Sequence, residues 1–250
     1  MNTHKKSIDM IALREDWKAA CVSLAFDPDS SSRRRPAAPD SMAGRIEHTL
    51  LGVSATNRDV ERLCEEAIGH SFRAVCCMPR DVERCVRALR TSSVIVVSVI
   101  DFPLGGGMGG VAASQCRTVI DLGASEVDMV VDVRAIVQNE LKLARDGVAR
   151  VVETAANVPV KVILETGALT PGQVVHAIAA AESGGAAFVK TSTGFGPRGA
   201  SIEDVALMRA IVSDRMGVKA SGGIRDKATA VAMIEVGADV IGTSNGPGCV

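Results

Sequence analysis

Ala186-Ala187-Phe188-Val189-Lys190-Thr191-Ser192-Thr193-Gly194-Phe195 is a short apolar run that carries a lysine to its own tip and then turns through small polar residues. A run this short, bounded by a turn signal, reads as a core strand of a parallel sheet. Outward from it the same unit recurs. Candidate strands cover 45–50, 73–77, 94–99, 126–131, 160–164, 187–190, 217–220 and 240–242, with amphipathic helical segments between them. Eight such units suggest a closed barrel. The expected fold is therefore α/β, a (β/α)8 TIM barrel over residues 42–250, preceded by a helix and polar linker over 1–41. Helix starts are marked by Thr56 with Asp59, by Thr170-Pro171 with Gln173 and by Ser201 with Asp204. Gly123, Gly184 and Gly237 stand where helix stops are wanted.

Composition agrees with one α/β domain. The 250 residues are 47% hydrophobic with 24 glycines, no tyrosine and one tryptophan, Trp17, so the interior is built from aliphatic side chains. A formal charge of −1 gives nucleic acid nothing to hold, and no apolar run is long enough to suggest a membrane span. The seven cysteines (Cys21, Cys64, Cys76, Cys77, Cys85, Cys116, Cys249) contain no Cys-x-x-Cys pair and read as reduced thiols. His4, His48, His70 and His176 lack the i, i+4 spacing of a helical metal site, so no metal or other cofactor is expected. A cytoplasmic location fits these features. In the linker, Arg33-Arg34-Arg35 reads as a solvated charge run rather than a phosphate contact.

The chemistry is carried by lysines. Lys190 ends the sixth strand, and Lys219 in Gly217-Val218-Lys219-Ala220-Ser221-Gly222-Gly223 repeats the arrangement at the seventh. An amine at the tip of a core strand meets a low dielectric, and two cations facing one cavity disfavour each other's charge, which is how a lysine becomes a nucleophile able to form a Schiff base. Asp128 interrupts the apolar run Glu126-Val127-Asp128-Met129-Val130-Val131, and its carboxylate needs a cation that two converging lysines can supply. Glycine-rich turns at Ser221-Gly222-Gly223-Ile224-Arg225 and Gly242-Thr243-Ser244-Asn245-Gly246 fall where barrels often bind phosphate. The run Gly105-Gly106-Gly107-Met108-Gly109-Gly110 fits G-x-G-x-x-G, but it follows the third strand and reads as a mobile loop at the barrel mouth instead of a dinucleotide site.

At these residues the chain resembles the deoxyribose-phosphate aldolase family, class I aldolases that join acetaldehyde to glyceraldehyde 3-phosphate. The resemblance spans residues 44–246 and rests on Val189-Lys190-Thr191-Ser192-Thr193-Gly194-Phe195 and Lys219-Ala220-Ser221-Gly222-Gly223-Ile224-Arg225, supported by Lys161-Val162-Ile163-Leu164-Glu165-Thr166-Gly167, Glu126-Val127-Asp128-Met129-Val130, Glu47-His48-Thr49-Leu50-Leu51, Ala74-Val75-Cys76 and Gly242-Thr243-Ser244. It implies reversible cleavage of 2-deoxy-D-ribose 5-phosphate through a Schiff base on Lys190, with Lys219 helping to keep that amine neutral and Asp128 relaying protons through a water. The iminium would be the electron sink for breaking the C3–C4 bond, and the enamine would be protonated at carbon two. Gly194, Gly222, Gly223, Gly242 and Ser244 would meet the phosphate, and Thr193 and Cys76 would line the pocket, with Thr49 a weaker candidate and Glu165 a structural carboxylate. The implied partners are a small phosphosugar and an aldehyde, with no nucleic acid or membrane; a homodimer is compatible with the reading.

Two departures concern single residues: Glu47 stands where the family has Asp, and Asp101 where Gly or Asn precedes Phe102-Pro103; neither is expected to touch the lysines. A third concerns the end: the sequence stops at Val250 where the resemblance implies a final helix, so that helix is expected to be missing or truncated. The barrel would then be open between strands eight and one, or the N-terminal helix would cover that side. The alternatives to this activity are a Schiff-base aldolase for another phosphosugar and a noncatalytic phosphosugar-binding relative.

Overall fold

A computed structural model describes residues 9–30 and 34–250; Arg33 of the arginine triplet and His4 lie outside the described residues. Eight parallel strands, β1 (Ile46–Leu50), β2 (Ala74–Cys77), β3 (Ile95–Ile100), β4 (Glu126–Val130), β5 (Val160–Ile163), β6 (Phe188–Lys190), β7 (Gly217–Ser221) and β8 (Val240–Thr243), close a barrel in chain order. Among the described residues, α1 (Met10–Ser23) precedes the barrel. The strands are then joined through α2 (Asn57–Gly69), α3 (Val82–Leu89), α4 (Gly109–Asp121), α5 (Val133–Val137), α6 (Leu141–Ala155), α7 (Pro171–Ser183), α8 (Ile202–Val212) and α9 (Lys227–Glu235). The expected start signals are in place: Thr56 with Asp59 and Thr170 with Gln173 form reciprocal capping boxes, and Ser201 accepts from the Asp204 amide. No helix among the described residues is long and apolar enough to cross a membrane.

Neither expectation about the barrel's closing side holds. The sheet is closed there, with Ile46 opposite Ile241, Glu47 opposite Gly242 and His48 opposite Thr243, and β8 is followed by a 3-10 turn at Pro247–Cys249. Closure needs only the backbone ladder, which β8 supplies whatever follows it. The N-terminal helix lies elsewhere, against α7 and α8. There Arg215 sits 4.9 Å over the Trp17 ring and bonds Glu182 at 2.5 Å, while Asp16 meets His176 at 3.0 Å. The linker is also less free than its charge suggests, because Arg35 pairs with Asp239 at 2.9 Å and with Asp214 at 3.3 Å.

Alternation along the strands divides the apolar residues into two layers. The larger lies between strands and helices; a small inner one, Leu51, Ala74, Cys76, Val97 and Val99, fills one side of the barrel interior. The other side is charged. Glu47, Glu126, Asp128, Lys161, Lys190 and Lys219 are all buried there, placed by strand registers that set Asp128 beside Lys161 and Lys190 beside Lys219. Phe188 closes the amino-terminal end beneath them, with Lys161 5.9 Å above its ring. A Cβ on Gly217 would stand 2.1 Å from that ring, so only glycine fits opposite Phe188.

Candidate active site

Lys190 reaches the interior from the last residue of β6, where its Nζ donates to Asp128 Oδ2 at 2.8 Å. Lys219 Nζ donates to the same oxygen at 2.6 Å and also to Glu47. Lys161, from β5, bonds the other Asp128 oxygen at 3.0 Å, Glu126 at 2.6 Å and Glu47 at 3.4 Å. Arg73, one residue before β2, completes the set with Glu47 at 2.6 Å and two bonds to Glu126. Among the described residues this cluster sets four cations, Arg73, Lys161, Lys190 and Lys219, against three carboxylates, Glu47, Glu126 and Asp128.

The electrostatics follow from that crowding. Burial pushes Glu47 up, but the fields of Lys161 and Lys219, helped by Arg73, outweigh it and hold the carboxyl at about 2. Asp128 is likewise held well below the carboxylate range, burial being overcome by Lys161, Lys190 and Lys219. Burial alone would lower Lys219 and Lys161, yet Asp128 and Glu47 push both above the ordinary lysine value. Both are therefore ammonium ions at neutral pH, buried completely. The expectation that Glu47 stands apart from the lysines is overturned: its carboxylate reaches Lys219 and Lys161 inside the barrel.

Above the cluster lies a cavity of about 230 Å³ at the carboxyl ends of β1, β6, β7 and β8. Lys190 lines it together with Thr49, Thr193, Gly194, Gly222, Gly223, Gly242 and Ser244, which are residues expected from the sequence, and with Phe195, Ser221, Thr243 and Arg225, which are not. Gly194, Gly222 and Gly223 have φ of +87°, +91° and +80°, a left-handed backbone that glycine accepts without a Cβ clash. Gly242 has another reason to be glycine, since a Cβ there would press on the Lys219 stem at 3.0 Å.

Three expected residues do not line the cavity. Asp128 and Lys219 lie beneath it, fully buried, and act on it through Lys190. Cys76 belongs to the inner apolar layer, where burial pushes its thiol up. Glu165 proves to organise the Thr193 turn: its Oε2 accepts from the Thr193 amide at 3.2 Å and from the Thr193 hydroxyl, which in turn accepts from Phe195 N at 3.0 Å. The glycine run after β3 is tied to Asp101, whose carbonyl accepts from Gly105 N at 2.9 Å and whose carboxylate accepts from Gly107 N at 3.0 Å.

Lys161, Glu126 and Arg73 were not singled out from the sequence. The signal for two of them was available in period-two alternation: Glu126 shares a strand face with Asp128, and Lys161 stands on the inward face of an otherwise apolar strand. Arg73 opens the expected strand 73–77 but stands one residue before the observed β2 and out of phase with the inward Ala74 and Cys76, so alternation gives no such sign. No group of three or more His, Cys, Asp or Glu side chains able to hold a metal ion occurs among the described residues.

The profile of the DeoC/LacD family aldolases matches residues 38–247. Two curated proteins named deoxyribose-phosphate aldolase are similar over most of their length. That of Methanothermobacter thermautotrophicus is 47% identical over 208 residues, 83% of this chain and 92% of its own. That of Brevibacillus brevis is 47% identical over 201 residues, 80% of this chain and 91% of its own. The tetrameric deoxyribose phosphate aldolase of Aeropyrum pernix superposes with a TM-score of 0.78 at 30% identity, covering 94% of this chain and 95% of that one. A closed eight-stranded barrel and a match over residues 38–247, which contain every strand, place this chain in the DeoC/LacD family of aldolases.

Proposed function

We propose that this aldolase splits 2-deoxy-D-ribose 5-phosphate reversibly into D-glyceraldehyde 3-phosphate and acetaldehyde, with Lys190 as the Schiff-base amine. The observation that carries the assignment is that Lys190 lines the cavity while Lys161 and Lys219 are sealed beneath it. Their charges act on Lys190 at close range, and in a low dielectric a cluster of four cations and three carboxylates approaches neutrality when one lysine gives up its proton. Lys190 is the member with a route to the cavity.

Neutral Nζ attacks the C1 aldehyde, and loss of water leaves a protonated iminium. The bond that then breaks is C2–C3, not the C3–C4 bond expected above. Only the bond between the α and β carbons can deliver its electron pair into the iminium, and acetaldehyde carries away C1 and C2. The C3 hydroxyl loses its proton as C3 becomes the aldehyde of glyceraldehyde 3-phosphate. The enamine left on Lys190 takes a proton at C2, and water hydrolyses the new iminium to release acetaldehyde and the free amine. Asp128 is too weak a base to remove a hydroxyl proton itself, so its role is to hold a water or an ammonium hydrogen in line for these transfers. The left-handed turns at Gly194, Gly222 and Gly223, with Gly242 and Ser244, form the phosphate end, where Arg225 adds a positive charge. Thr193, fixed by Glu165, and Thr49 border the sugar; Cys76 packs the wall behind them.

The test is Lys190→Arg and Lys190→Ala. Both variants should fold, lose cleavage by at least about 10³-fold, and fail to gain the mass of a reduced acetaldehyde adduct under borohydride, because neither offers a neutral amine. Cleavage near the wild-type rate in either variant would remove Lys190 from this role. An adduct on Lys190 without turnover of 2-deoxyribose 5-phosphate would favour another phosphosugar.

A further inference from the structure

The lower part of the charged cluster takes no part in the chemistry above. Arg73 and Glu126 sit at the amino-terminal end of the barrel, away from the cavity, and an ordinary reading makes them a salt bridge that ties β2 to β4. Their connections suggest more. Arg73 bonds Glu126 through both guanidinium branches and Glu47 at 2.6 Å; Glu126 bonds Lys161 at 2.6 Å; Lys161 bonds Asp128, the group that touches Lys190, and Glu47 reaches Asp128 through Lys161 and Lys219. An unbroken chain of ion pairs thus runs from the base of the barrel to the cavity.

We propose that Arg73 and Glu126 are positioning residues for the reaction: acting through Lys161, Glu47 and Asp128, they set how readily Lys190 gives up its proton. Charge parity in the cluster decides the fate of the proton. Guanidinium does not deprotonate in proteins, so Arg73 contributes a fixed positive charge to a region that disfavours net charge. Glu126 is satisfied by Arg73 and Lys161, Glu47 by Arg73, Lys161 and Lys219, and Asp128 by Lys161, Lys190 and Lys219. The surplus cation is therefore expelled as a proton from the lysine with a route out. Without Arg73 the remaining cluster is balanced three against three with Lys190 charged, and the proton stays. Without the Glu126 charge the surplus is doubled, and the proton leaves more easily. The remaining titratable and charged groups around Lys190, namely Glu47, Cys76, Asp128, Lys161, Glu165, Lys219 and Arg225, are the same in every variant proposed below.

The inference rests on Lys190 being the imine-forming amine, and the experiment separates the two ideas. kcat/KM for cleavage of 2-deoxyribose 5-phosphate and the rate of borohydride trapping with acetaldehyde are measured against pH for the wild type, Arg73→Met, Arg73→Lys and Glu126→Gln. The acid limb of both profiles should move to alkaline pH in Arg73→Met and to acid pH in Glu126→Gln, each by on the order of one pH unit. In Arg73→Lys it should stay near the wild-type position. A salt bridge that serves only stability would lower thermal stability and leave the limbs unmoved. Unmoved limbs, or limbs that move in the same direction in Arg73→Met and Glu126→Gln, overturn the proposal. Should Arg73→Met fail to fold, the isosteric Glu126→Gln decides alone by the direction of its shift. A wild type that traps no acetaldehyde on Lys190 would instead defeat the reading of Lys190.

Discussion

Replacing Lys219 with leucine removes the cation that shares Asp128 Oδ2 with the nucleophile and keeps most of the side chain's volume. Lys190 and Lys219 both donate to Asp128 Oδ2, at 2.8 and 2.6 Å, so the two nitrogens are roughly 5 Å apart. Unit charges at that separation repel by about 3 kcal/mol at an effective dielectric of about 20. Since one pH unit corresponds to about 1.4 kcal/mol, the acid limb of kcat/KM should move alkaline by about two units. Both groups are buried, so little of this is lost to solvent screening. At neutral pH the variant should then retain on the order of a hundredth of the wild-type kcat/KM and regain much of it as the pH is raised. Lys219→Arg keeps the charge, and its acid limb should stay where the wild type's lies, although the larger head crowds Gly242 and slows turnover. The assay is a pH series of cleavage rates, with borohydride trapping by acetaldehyde as the direct measure of neutral Lys190. A leucine variant whose rate falls uniformly, with the limb unmoved, would refute the electrostatic argument and assign Lys219 to proton transfer.

Two further outcomes test the interior itself. Glu47 is held at about 2 against an ordinary value of 4.5, so its charge stabilises the fold above pH 4.5 and that contribution is lost as the pH falls toward 2; Glu47→Gln, followed by chemical denaturation, should flatten the fall in stability over that window, and an unchanged slope would disprove the assignment. Gly217→Ala places a methyl 2.1 Å from the Phe188 ring and should cost about 1–3 kcal/mol by overpacking, read as a lower denaturation midpoint, whereas a neutral result would show that Phe188 can move aside.

The barrel was legible because each strand announces itself locally. Strand boundaries expected from apolar runs and turn residues fall within a residue or two of those observed, as for β6, expected over 187–190 and found at Phe188–Lys190. Lys190 and Lys219 were legible for the same reason: each is a charged residue inside an apolar run, a local anomaly that needs a spatial explanation. Asp128 was legible as their shared partner, but Glu47 was not. Glu47 and Lys219 are 172 residues apart in sequence, and their hydrogen bond exists only because β8 closes onto β1 and brings Glu47 beside Gly242. Glycine at 242 leaves the Lys219 stem room to stand between them. The sequence also suggested that both lysines face the cavity, whereas one lines it and the other supports it from below. Alternation assigns a face of the strand but not a height in the barrel; the shear of the closed sheet sets the height.

Height also bears on Glu47, which stands where the resemblance led to the expectation of Asp. The extra methylene lets the carboxylate meet Lys219 with one oxygen while the other meets Arg73 at 2.6 Å and Lys161 at 3.4 Å. Glu47 thereby bridges the upper lysine layer to the Arg73–Glu126 pair at the base. A carboxylate one bond shorter could serve the lysines without reaching Arg73. On this view Glu47, Arg73 and Glu126 form one functional unit, and Glu47→Asp should weaken the coupling of Arg73 to the active site while the Glu126–Lys161–Asp128 route persists. In that background Arg73→Met should shift the acid limb less than it does in the wild type; equal shifts in both backgrounds would show that Glu47 carries none of the coupling.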